Sequence, residues 1–146
     1  LIVYLFRMVI RIKNLSDDLD KEKIGLIKKY LQFLQTELPL IKGMTLTFLG
    51  QKNAKMTTGV RKPGNKVNVL VDGRLLIDVF RTLAHEWVHE FQYQKLNLDD
   101  TKKHQDIGGP VENMANALAG IMVKKFNKEF PNHEKHLYKK NQEHQK

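Results

Sequence analysis

His85-Glu86-Trp87-Val88-His89 places two imidazoles four residues apart, with a carboxylate directly after the first. On a helix such positions share one face, a turn apart, so both rings can converge on one ion. Glu86, next to the first ring, can reach a water at that ion without becoming a ligand. Neutral imidazoles suit zinc, which takes ligand nitrogens about 2.0–2.1 Å away in tetrahedral geometry. A third protein ligand must come from elsewhere, leaving the fourth position for water. With six His and eight Glu in 146 residues, a shuffled chain would contain this pattern roughly 1% of the time. The bland alternative is two ordinary surface histidines.

A helical wheel at about 100° per residue sharpens the case. Asp78, Arg81, Thr82, His85, His89 and Gln92 fall on one side, and Leu76, Val79, Phe80, Leu83, Trp87 and Phe91 on the other. Leu75, Ala84 and Val88 flank the histidine face, so that face is expected to be partly covered. The longer pattern H-E-x-x-H-x-x-G-x-x-H fails as a source of the third ligand, since Gln92 stands for Gly and Lys95 for the last His. His104, Asp106 and Glu112 have the right chemistry. Glu112 is the best placed, in the first turn of a helix after Gly108-Gly109-Pro110, with Ala115 and Ala119 on nearly the same face. Small residues beside a carboxylate let two helices approach closely enough to share an ion. An acidic residue is also simply favoured at a helix N-terminus.

His85-Glu86-x-x-His89 followed by Glu112-x-x-Ala115-Asn116 resembles the zincin metallopeptidases of the gluzincin type, whose downstream Glu-x-x-(Ala/Ser)-Asp helix supplies the third ligand. The resemblance covers roughly residues 54–126, and the preceding strand–helix–strand order is similar to a zincin N-terminal part. It implies one zinc ion held by His85, His89 and Glu112, with Glu86 as the base that activates water for peptide hydrolysis. Asn116 stands where the family often has Asp, and the resemblance implies that it accepts a hydrogen bond from a ligand histidine. Gly108 matches a glycine often found four residues before the ligand, while Val111 departs from the polar residue often seen just before it. The chain looks like the minimal versions found in prokaryotes and their viruses. The family's oxyanion donor is usually a His or Tyr after the Glu ligand, which makes His133, His136 and Tyr138 candidates, beside His104 and Tyr93. By the same resemblance, an extended peptide substrate adds a strand to the sheet at residues 54–60. Lys55, Arg61 and Lys62 there suit acidic or phosphate-bearing partners, although protection of a sheet edge by charge explains them equally well.

The elements that must position these residues read as α+β: a small mixed sheet packed on helices. Residues 1–12 are rich in β-branched and aromatic side chains and predict one buried strand. Ser16-Asp17-Asp18 supplies helix caps. Ile24, Ile27, Leu31, Leu34 and Leu38 then mark an amphipathic helix that Pro39 stops. Strands are expected at 44–49, 54–60 and 66–71, the last two flanking Pro63-Gly64-Asn65. Helices follow at 74–96 and 110–127, with Pro110 in a first turn and a polar loop between. The expected organisation is a single zincin-like domain: 1–73 the sheet part, 74–130 the zinc-binding helices, 131–146 a basic tail.

Composition removes whole classes. Without cysteine there is no disulfide scaffold, Cys-based zinc finger, iron–sulfur site or thiol nucleophile. No run approaches the 18 apolar residues of a membrane span. The first residues lack a basic leader and a small-residue cleavage site, which points to the cytoplasm. A net charge of +9 fits attraction to nucleic acid, anionic lipid or an acidic partner, and also a solvated lysine-rich surface. No nucleic-acid recognition motif accompanies it. Two rival functions remain: a basic nucleic-acid- or protein-binding module with a structural or vestigial zinc site, and a zinc amidase acting on cell-wall peptide. Retention of Glu86 argues against the first, since structural zinc has no use for a base.

Overall fold

Five short segments alternate inward with outward residues, the inward ones apolar except at 59–62, where they are Gly59 and Arg61. In the computed structural model, which describes residues 1–50, 58–96 and 109–137, they pair into one mixed sheet in the order β1-β2-β3-β5-β4. The strands are β1 (Ile2–Leu5), β2 (Met8–Asn14), β3 (Met44–Leu49), β4 (Gly59–Lys62) and β5 (Lys66–Leu70). β2, β3 and β5 run parallel, and β1 and β4 close the two edges antiparallel. Three long helices, α1 (Lys21–Glu37), α2 (Leu76–Lys95) and α3 (Pro110–Glu129), precede a 3-10 turn at Pro131–His133 and the short α4 (Glu134–Leu137). The architecture is α+β, a mixed sheet packed on helices. Among the described residues, no helix is long and apolar enough to cross a membrane.

The core lies between the inward side chains of the strands, such as Ile10, Leu46, Phe48 and Val69, and the apolar faces of the helices. Its centre is aromatic. Tyr30 of α1 stacks on Phe80 of α2 with ring centroids 4.2 Å apart, and Phe126 of α3 meets Tyr30 edge-on at 5.0 Å. One ring from each long helix therefore fixes how the three helices sit together.

Two expectations need correction. The opening twelve residues are not one strand but a hairpin, in which Leu5 pairs with Met8 across Phe6 and Arg7. Arg7 takes a positive φ of 66°, a conformation usually signalled by Gly, Asn or Asp, so the turn carries no sequence signal. The cap of α1 is Asp20, whose side chain accepts from the Lys23 N–H at 2.9 Å, rather than the Ser16-Asp17-Asp18 run. Ser16 donates instead to Asp72, and Asp18 accepts from the Gly73 N–H at 3.1 Å. Those two contacts fasten the approach to α1 onto the segment that launches α2. The expected turn at Pro63-Gly64-Asn65 is present, with positive φ at Gly64 and Asn65.

Candidate metal centre

The first half of α2 buries Leu76, Ile77, Val79, Phe80 and Leu83, as an amphipathic helix should. The second half differs: Glu86, His89, Glu90 and Gln92 are buried as well as Trp87 and Val88. The face that the helical wheel leaves half-covered is enclosed, because β4 lies along one flank and α3 packs along another. Ala115 and Ala119 of α3 are buried, and their small side chains permit that approach. Buried polar groups need partners, and the partners here define the site.

His85, His89 and Glu112 converge. His85 Nε2 lies 2.8 Å from Glu112 Oε1, His89 Nε2 lies 3.2 Å from Glu112 Oε2, and the two Nε2 atoms are 3.1 Å apart. Ligand atoms 2.0–2.1 Å from a tetrahedral centre would be roughly 3.3 Å from one another, and the two imidazole nitrogens already stand near that spacing, with one oxygen of the Glu112 carboxylate against each. Two nitrogens and one carboxylate also match the donor set of catalytic zinc sites. The three residues fit a metal, and they are a metal-competent group among the described residues.

The tautomer of His89 supports that fit. Gln92 donates its amide nitrogen to the Val111 carbonyl at 3.0 Å, which turns its oxygen toward His89 Nδ1 at 2.9 Å. An amide oxygen only accepts, so His89 carries its proton on Nδ1 and presents a lone pair at Nε2. Burial, the largest influence, holds His89 below the usual histidine range and so keeps it neutral; Gln92 and Glu112 oppose that shift and His85 adds to it. Gln92 thus orients one ligand while gripping the backbone next to another.

Glu86 sits beside the triangle, its Oε2 4.0 Å from His85 Nε2. Burial, followed by repulsion from Glu112, pushes its carboxyl up to about 8, against a hydrogen bond from the Arg61 backbone that lowers it. Oε1 is buried without a hydrogen-bond partner among the described residues. The edge strand passes so close that a Cβ on Gly59 would lie 2.5 Å from Thr82 Cγ2 and 3.2 Å from Glu86 Oε2. Glycine is therefore required where β4 crosses the helix. Next along the strand, the Arg61 side chain is buried, with Nε 2.8 Å from Glu90 Oε1 and its guanidinium 3.8 Å from the Tyr93 ring centroid. Glu90 also accepts from Gln94 at 2.6 Å, whose Oε1 caps the Ile41 and Lys42 N–H groups. This network clamps the edge strand against the helix.

The structure brings together His85, Glu86, His89 and Glu112 as the sequence predicts. It does not bring Asn116 to them: Asn116 is exposed and makes no hydrogen bond to either histidine among the described residues, and Gln92 takes the role at His89. Arg61 is not available to an acidic partner, because Glu90 neutralises it inside the protein. His133 contacts Lys29 and His136 pairs with Glu22 of α1. Both follow the far end of α3, where residues of α1 engage them, and the structure does not bring either to this triangle. The Tyr93 ring is occupied by Arg61. His104, Asp106, Gly108, Tyr138 and residues 54–57 of the expected edge strand lie outside the described residues. Sequence reasoning missed the roles of Gln92 and of the Arg61–Glu90 pair. The i, i+3 spacing of His89 and Gln92 was the signal for the first.

Compared with known proteins, the chain matches no family model, no curated protein and no solved structure.

Proposed function

We propose that this chain is a zinc-dependent metallopeptidase, with His85, His89 and Glu112 holding one ion and Glu86 as general base. The observation that carries the reading is the convergence of two imidazole nitrogens 3.1 Å apart, each 2.8–3.2 Å from one oxygen of the Glu112 carboxylate, with a buried carboxyl beside them that has an oxygen unpartnered among the described residues. Zinc, when bound there, would supply Lewis acidity toward a carbonyl oxygen and acidify water. The protein's own groups do the rest. Glu86, in its ionised form, takes the proton from the attacking water and returns it to the leaving amine. The Arg61 N–H and Gly59 hold that carboxyl against the edge strand. Gln92 holds His89 in the ligating tautomer. Among the described residues β4 is an edge strand antiparallel to β5, so its outer side can take an extended peptide chain past Glu86.

The test is elemental analysis of the dialysed protein combined with hydrolysis of a fluorogenic casein. One equivalent of zinc, lost in His89→Ala, is expected. Glu86→Gln should retain the zinc and lose about 10²–10⁴-fold in rate. No bound metal, iron in place of zinc, or a fully active Glu86→Gln would each overturn the proposal.

A further inference from the structure

The sheet has a second face, and the metal centre makes no use of it. Side chains alternate along each strand, so while Gly59 and Arg61 of β4 face α2, Val60 and Lys62 face the other way. The strand register aligns what lies there. Ile2 pairs with Arg11, Arg11 with Thr45, Thr45 with Lys66, and Lys66 with Lys62, in one row across the sheet. The next row carries Lys13, Thr47, Asn68 and Val60. Arg11, Lys13, Lys62 and Lys66 are all exposed, and none of the strands contains an Asp or Glu.

That pattern is unfavourable for a sheet with no partner. Lys62 and Lys66 stand directly opposite each other, a like-charge pair that weakens strand pairing. Among the described residues no carboxylate neutralises any of the four cations. Edge protection accounts for Lys62 on β4, but not for Arg11, Lys13 and Lys66 on interior strands. Between the cations lie the hydroxyl and amide groups of Thr45, Thr47 and Asn68, with Ile2, Val9 and Val60 beside them on the same face. At the hairpin end one aromatic ring of this face stands in solvent, Tyr4, 76% exposed. Tyr4, Val9, Arg11, Thr45 and Asn65 line a groove of about 470 Å³ there.

We propose that this outer face binds single-stranded nucleic acid. The cation rows meet the phosphates, the open Tyr4 ring stacks on a base, and the Thr and Asn side chains meet base edges and sugars. An open sheet with an exposed aromatic ring and flanking cations is a surface on which an unpaired base can lie flat. A membrane surface has no use for the hydroxyl and amide groups in its middle, so the chemistry favours a nucleotide chain. The site is separate from the metal centre and does not depend on it.

Fluorescence anisotropy of the full 146-residue chain with a labelled single-stranded oligonucleotide about 20 nucleotides long tests this. Saturable binding is expected, with log K falling against log salt with a slope of about −3 for four phosphate contacts. R11E/K66E should weaken binding about tenfold or more and roughly halve that slope. K124E/K128E, which changes the net charge equally at exposed positions on α3, should leave the slope in place. Tyr4→Ala should lose about fivefold or more without changing the slope. Equal losses in both double variants would reduce the effect to bulk charge and overturn the proposal. So would absence of binding at low salt, or binding to phosphatidylserine vesicles in preference to the oligonucleotide.

Discussion

Phe80 and His89 lie on the same helix, and both are closed off from water. Around Phe80 the neighbours are rings from α1 and α3, which ask only for shape and volume. Around His89 both ring nitrogens meet polar groups, and each must face one of the right kind: Nδ1 toward Gln92, Nε2 toward His85 and Glu112. The two halves of α2 are equally buried, yet one is stabilised by being there and the other must be held there. An apolar cluster contributes stability by excluding water. The polar cluster spends some of it, most visibly at Glu86, whose buried Oε1 has no partner among the described residues. Burial alone therefore does not tell core from site; what distinguishes them is whether the buried groups have an unmet demand that a ligand could satisfy.

The largest test of that division is Phe126→Ala. Phe126 contacts Tyr30, Phe33 and Phe80, and removing its ring should cost about 3–5 kcal/mol of unfolding free energy in a denaturant titration. Metal affinity per folded molecule should stay the same. A tenfold or greater loss of affinity would mean that the aromatic packing also sets the ligand positions, and the two halves would no longer be separable.

Zinc provides the complementary test. A ligand that binds only the folded chain at 100 times its dissociation constant adds about 2.7 kcal/mol to stability. That increment should appear in the wild-type melting curve and in Phe126→Ala, and be absent in His85→Ala. An equal increment in His85→Ala would show that zinc binds elsewhere, for example on surface histidines.

Gln92→Leu probes a smaller effect at the boundary between α2 and α3. The substitution keeps the side chain's bulk but removes both the acceptor at His89 Nδ1 and the donor to Val111. Partners of this kind typically carry 10–100-fold in metal affinity, and that loss is the expected readout in a competition titration. Gln92→Glu restores the acceptor and should recover part of it, although the Val111 carbonyl stays unpaired. If Gln92→Leu binds zinc as wild type does, the tautomer of His89 is set by the ion and not by the protein.

The same contrast explains what could be read in advance. Helices, strand order along the chain and the residues of the triangle were legible, because period 3.6, period 2 and the i, i+4 spacing of His85 and His89 are local patterns. The hairpin turn at Arg7 was hidden because it uses a residue with no preference for positive φ. The burial of Arg61 was hidden because its partner, Glu90, comes from an element distant in sequence, and charge on an edge strand more often faces solvent. Partner choice among polar side chains is decided by tertiary approach, and a helical wheel contains none of that information.

Asn116 is where that limit gives the smallest and most pointed prediction. Its spacing from Glu112 matches a familiar pattern, yet it lies on the exposed side of α3, while Ala115 and Ala119 turn inward toward α2. Exposed helical Asn is a poorer helix former than Ala, and Asn116→Ala removes no hydrogen bond to either histidine. Stability should change by no more than about 0.5 kcal/mol, with a slight gain expected from propensity, and zinc affinity should remain within twofold of wild type as a rough limit. A tenfold loss on Asn116→Ala, comparable to Gln92→Leu, would mean that binding the ion rotates α3 until Asn116 meets His85. The polar half of α2 would then be remodelled by its ligand, whereas the aromatic half is complete without one.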